Sequence, residues 1–132
     1  MASRNTTKMS QDIIADALNK IQNATKAGKT EISVKRHSKL LINVLAIAKL
    51  NDYIKNYRVE NNVLNIEIAK LNFCIAIKPR FVVQADEIDK YVKRYLPAKD
   101  IGTIIISTSQ GLMTHTSAIE KNIGGSLIAY FY

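Results

Sequence analysis

The chain has 132 residues, 47% of them apolar, with 19 Lys+Arg against 11 Asp+Glu and a formal net charge of +8. Those figures suit one domain or two very small lobes around a real core. They exclude disorder of the whole chain and a bilayer-spanning run of about 20 apolar residues. A single cysteine, Cys74, excludes an internal disulfide and a structural zinc cluster, and residues 1–10 lack the apolar stretch of a signal peptide; a soluble, intracellular domain without metal or cofactor is expected.

Taken in chain order, Ser10 reads as an N-cap with Asp12 in the first helical turn. Ile13, Ile14, Ala17, Leu18, Ile21 and Ala24 recur at helical spacing, so residues 11–25 are predicted to form an amphipathic helix ended by Gly28. Residues 30–36 alternate, with Ile32 and Val34 on one face, as in a short half-buried strand. A second helix is predicted from Ser38 to Leu50, its core face built from Leu41, Val44, Leu45 and Ala48 and its stop at Asn51-Asp52. The period then changes to two: residues 53–59 and 63–69 read as strands joined by a tight turn at Glu60-Asn61-Asn62, where asparagine tolerates the left-handed backbone. Residues 73–78 read as a strand stopped by Pro79, and 86–96 as a helix ending at Pro97. A buried strand follows at 103–107, then a polar loop, a short helix at 114–121, a Gly124-Gly125 turn and a last strand at 127–132. The whole predicts an α+β fold of two small packed lobes. Residues 1–78 form the N-terminal α-β-α-β-β lobe, and residues 79–132 a lobe that is mostly β with short helices. The lobes meet near Lys78-Pro79-Arg80 and are expected to share an interface, because each alone buries little surface.

Charge is unevenly placed. Within residues 20–39, Lys20, Lys26, Lys29, Lys35, Arg36 and Lys39 face only Glu31. Such a block attracts polyanions, nucleic acid first and an acidic membrane surface second; the plainer alternative is a solvated face.

Catalytic candidates are few. Neither His37 nor His115 is paired by spacing with a carboxylate, Cys74 alternates within an apolar strand as an inert thiol would, and the acids are scattered. No enzyme and no small-molecule substrate is therefore expected. The run Ser107-Thr108-Ser109-Gln110-Gly111 is neither a nucleophile elbow nor a phosphate-binding P-loop. It offers short donor and acceptor side chains on a backbone that a ligand can approach closely, suited to sugar hydroxyls, phosphates and base edges. An ordinary turn capped by Ser and Thr is the other reading. Tyr91 and Tyr95 invite base stacking, but they share an apolar stripe with Ile88 and Val92, and core packing is preferred.

At these residues the chain resembles a known family. Ile106-Ser107-Thr108-Ser109-Gln110-Gly111-Leu112-Met113-Thr114-His115, then Ala118 and Ile123-Gly124-Gly125, is similar to the C-terminal signature of the universal eighth small-subunit ribosomal protein family. The run from Asp16 to Ala24 and the Ser38-Lys39-Leu40 triplet resemble its other hallmarks. Ile77-Lys78-Pro79-Arg80-Phe81 and Leu96-Pro97-Ala98 look like the archaeal and eukaryotic branch. The resemblance implies a cytoplasmic, structural constituent of the small ribosomal subunit that binds an irregular helix in the central domain of small-subunit rRNA, supports assembly and neighbours other small-subunit proteins. By position it implies Ser107, Thr108, Ser109 and Gly111 as first RNA contacts, with Thr114, Gly124 and Gly125 shaping or flanking that surface. Asn19, Lys20, Asn23, Ser38 and Lys39 are the N-terminal candidates, with Lys20, Lys35, Arg36 and Lys39 positioning the protein through phosphates. Two departures stand out: Asp52 replaces a usual glycine before Tyr-Ile, and the 60–62 turn is shorter than the insertion common in this branch. A general basic RNA-binding module, and more distantly a hydrolase using Ser107 or Ser109 with His115, are the competing readings.

Overall fold

A computed structural model describes residues 13–77, 82–98 and 101–132. The predicted cap Ser10, Asp12 and the Lys78-Pro79-Arg80 junction lie outside the described residues. By contacts the chain separates between Lys70 and Leu71 into two compact units. The unit of residues 71–132 includes the strand at Cys74–Ala76 because that strand hydrogen-bonds to the last strand of the chain.

The N-terminal unit begins with α1 (Ile13–Lys26), which buries Ile14, Ala17, Leu18, Ile21 and Ala24 as the periodicity predicts. Gly28, at φ 76°, lets the chain reverse, and the Lys29 N–H reaches back to the Ala24 carbonyl at 2.8 Å while the Gly28 N–H reaches Thr25. Strand β1 (Glu31–Val34) leads to α2 (Lys39–Leu50), whose N-cap Ser38 accepts from the Leu41 N–H at 3.2 Å. Its core face is the predicted set: Leu41, Val44, Leu45 and Ala48. The end of α2 repeats the bonding of α1 without a glycine. Asp52 takes φ 66°, and the Tyr53 N–H donates to the Ala48 carbonyl at 3.0 Å. Aspartate is among the few side chains that tolerate this conformation, so the departure at Asp52 changes the residue and keeps the geometry.

Strands β2 (Ile54–Glu60) and β3 (Val63–Ile68) form a hairpin in which Glu60 pairs with Val63. Asn61 and Asn62 sit at φ 52° and 63°, the two left-handed central residues of a type I′ turn. The antiparallel sheet has the order β1-β3-β2, and β3 alternates buried Leu64, Ile66 and Ile68 with half-buried Val63, Asn65 and Glu67.

The C-terminal unit is built on a second antiparallel sheet. Its strands are β4 (Cys74–Ala76), β5 (Val82–Val83), β6 (Thr103–Thr108), β7 (Gly111–Thr114) and β8 (Gly125–Phe131), in the order β4-β8-β6-β7 with β5 also on β8. A 3₁₀ turn (Ala85–Glu87) leads into α3 (Ile88–Tyr95), and α4 (His115–Lys121) follows β7 directly. Ile88 and Val92 of α3 pack with Ile104, Ile106, Met113, Ala118 and Leu127 in one apolar core. The polar loop expected after β6 contains β7, and β5 lies where the sequence predicts no element. β7 is hidden in the sequence because the turn before it lacks an Asn-Gly pair, and β5 because two residues give no alternation to read.

Candidate nucleic-acid interface

The hydroxyl-rich run is the turn of the β6–β7 hairpin. Thr108 pairs with Gly111, leaving Ser109 and Gln110 exposed at the tip. The turn is fixed from within: the Thr108 hydroxyl donates to the Gly111 carbonyl at 2.8 Å and accepts from the Gln110 N–H at 3.1 Å. The left-handed residue is Gly111, at φ 107°, with open space where a side chain would begin. Thr108 therefore builds the turn, while Ser109 and the Gly111 backbone face outward. Ser107, half-buried, pairs with Ser126 across the sheet.

Gly124 and Gly125 join this surface for a steric reason. A Cβ on Gly125 would stand 2.3 Å from the Ser107 carbonyl oxygen, and one on Gly124 would stand 2.3 Å from that of Val83. Only a bare backbone lets β8 close against both β6 and the segment before the 3₁₀ turn. The turn expected at Gly124-Gly125 is already part strand, because Gly125 opens β8.

Thr114 caps α4, accepting from the Ser117 N–H at 3.2 Å. Beside it His115 is buried, and its Nδ1 accepts from the Ile104 N–H at 3.1 Å. Burial lowers the imidazole pKa below its ordinary value, against an opposing contribution from Asp89. A ring so occupied holds β6 to α4, and it is not placed to take a proton from Ser109 at the exposed tip.

In the N-terminal unit the candidates spread over an outer face. Asn19, Lys20 and Asn23 are exposed on α1, and Lys35, Arg36 and Lys39 are exposed beyond it. The Arg36 guanidinium reaches Asp16 at 3.9 Å, one turn before Asn19 and Lys20. Ser38 spends its oxygen on the α2 cap. Lys39 opens α2 with no acid in the first turn, a sign opposed to the helix dipole. Lys20 and Asn23 line a depression of ≈ 450 Å³ with Ala24, Ala27, Lys29, Ile32 and Ser33. Lys29 and Ser33 are not among the expected site residues, although Lys29 belongs to the basic block and Ser33 to the outward alternation of β1.

Among the described residues no cluster of metal-ligating side chains occurs and no helix is long and apolar enough to cross a membrane. An uncharged, internally braced hairpin lies on one unit and a basic face on the other, a combination compatible with a nucleic-acid partner. The family described as Ribosomal protein S8 matches residues 12–132, and the small ribosomal subunit protein uS8 of Nanoarchaeum equitans (strain Kin4-M) is 43% identical over 129 residues, covering 94% of this chain and all of that protein. The chain belongs to the ribosomal protein S8 family. It is accordingly a structural component of the small ribosomal subunit in the cytoplasm, with ribosomal RNA and ribosomal proteins as partners, and not an enzyme.

Proposed function

We propose that the protein binds directly to an irregular helix in the central domain of small-subunit rRNA and thereby supports subunit assembly. The observation that carries this reading is the hairpin tip. Ser109 and the Gly111 backbone stand exposed on a turn whose shape is already set by the Thr108 hydrogen bonds. A-form RNA displays 2′-hydroxyls and base edges in a shallow minor groove, and short hydroxyls on a rigid turn can reach them without first paying for their own ordering. Ser107, Ser109 and Gly111 make the selective contacts; Thr108, Thr114, Gly124 and Gly125 hold that surface in place. Lys20, Lys35, Arg36 and Lys39, with Asn19 and Asn23, engage phosphates and sugars and set orientation rather than sequence.

The test compares two RNAs of equal length across a range of salt: the central-domain rRNA stem, and the same stem with its irregular core replaced by regular pairs. A preference for the irregular stem that survives at high salt supports the proposal. Equal binding that disappears with salt reduces the protein to a basic RNA-binding module and removes support for the hairpin assignment.

A further inference from the structure

A second surface lies at the other end of the same sheet. Tyr91 stacks on Tyr95, one turn further along α3; Tyr95 meets Tyr130 of β8, and Tyr130 meets Tyr132 and Phe73. The centroid separations along the row are 6.3 Å (Tyr91–Tyr95), 5.0 Å (Tyr95–Tyr130), 6.4 Å (Tyr130–Tyr132) and 5.9 Å (Tyr130–Phe73). Planes in the tyrosine pairs lie 13–26° from parallel. Rings so spaced are offset, and each face is only partly covered by its neighbour. The tyrosines rest on the apolar core yet all remain partly exposed. Lys90 Nζ stands 5.8 Å over Tyr91 and the Arg94 guanidinium 5.7 Å over Tyr95, at the outer limit of a cation–π contact and so readily released.

Cations and hydrogen-bond donors predominate along this edge. Phenol hydroxyls, two ammonium groups (Lys90 and Lys93) and a guanidinium all donate hydrogen bonds. The acids of the same segment, Asp86, Glu87 and Asp89, are confined to the 3₁₀ turn and the first turn of α3. Burial, then Tyr132 and Tyr95, raise the Tyr130 pKa, which keeps that phenol a donor. A surface of aromatic faces bordered by donors and cations complements a polyanion with flat rings better than it complements another protein. It is also separate from the hairpin. Tyr130 pairs with Ile104, four residues before Thr108 along β6, or about 14 Å.

We propose that the row Tyr91–Tyr95–Tyr130–Tyr132, flanked by Lys90 and Arg94, is a second RNA-contact surface that holds unpaired nucleotides by stacking and phosphate contacts. It does not depend on the hairpin assignment, since its ligand is single-stranded and its residues are different.

The chain has no tryptophan, and four of its six tyrosines stand in this row, so intrinsic tyrosine fluorescence reports directly on the surface. The full-length protein is titrated with a ten-nucleotide oligouridine. Saturable quenching is expected, weakened at least about tenfold in the Lys90→Ala/Arg94→Ala variant and in Tyr91→Leu, and unchanged in Ser109→Ala. Both cations are exposed, and matching thermal unfolding of that variant excludes misfolding as the cause. No saturable quenching, or quenching equal in wild type and both variants, overturns the proposal. In assembled subunits, a photocrosslinking benzoylphenylalanine at position 91 is expected to join to rRNA; capture of a ribosomal protein alone assigns the surface to a protein neighbour and overturns it as well.

Discussion

At the β6–β7 hairpin the candidate contacts carry no charge and are fixed by bonds inside the turn; in the N-terminal unit the charged candidates are the exposed ends of long side chains. Thr108 closes its loop with two hydrogen bonds, and Gly125 lies so close to Ser107 that no side chain fits between them. Arg36, by contrast, meets Asp16 only across 3.9 Å between two exposed groups, a pair worth little in water. The difference separates two tasks. A rigid neutral surface discriminates between shapes because it cannot adapt to the wrong one, whereas flexible cations attract any polyanion and lose that attraction as salt rises.

The sharpest way to break this contrast is to remove the rigidity. Gly125→Ala places a methyl group against the Ser107 carbonyl and should destabilise the C-terminal unit by about 3 kcal/mol or more, read as a lower urea midpoint. Selectivity for the irregular stem should fall with it. Ser109→Ala leaves the turn intact and should cost about 1–3 kcal/mol on the irregular stem with little effect on the regular one. Equal losses on both RNAs would deny the hairpin its selective role.

A pH series tests whether the hairpin's support is as firm as its geometry. His115 is buried with its pKa lowered from 6.5, so between that value and the folded one the unfolded chain binds more protons. The stability it lends is complete above about pH 6.5 and declines as pH falls below it, by at most about 1.4 kcal/mol per pH unit. Comparing urea midpoints of wild type and His115→Gln from pH 7 to pH 5 should show a steeper acid loss in wild type. Parallel curves would mean that His115 charges as easily folded as unfolded. The smallest effect is expected at Lys39→Ala, which should weaken both RNAs alike and flatten the salt dependence of log K by roughly one unit at most. An unchanged slope would take Lys39 off the phosphate-contacting face.

Much of this was legible in the sequence, and unevenly so. Helices α1 and α2 announce their buried faces through apolar spacing, and the Asn61-Asn62 turn through the two residues that accept a left-handed backbone. The hydroxyl run stood out by composition, yet the division of labour within it did not. That Thr108 bonds inward while Ser109 faces out depends on the β6–β7 register, which local pattern does not set. The need for Gly124 and Gly125 comes from backbone brought alongside by distant pairing. Lys29 and Ser33 join Lys20 and Asn23 only through the packing of α1 on β1. The helical stripe assigns Tyr91 and Tyr95 to core packing. They do pack on the core, and they also reach its edge, where Phe73, just before β4, and Tyr130 of β8 extend them into a row.

One buried group offers a clock. Cys74 lies in β4 opposite Phe131, and burial pushes its thiol up to about 12. In the closed sheet it should therefore ignore alkylating reagents that act on thiolates near neutral pH. Any labelling must await a moment when β4 lifts from β8, so the rate at which the lone thiol is captured counts those openings. Because β8 continues from Phe131 back to Gly125 beside the hairpin, the same sulfur would register how far RNA bound at one end of the sheet quiets the other.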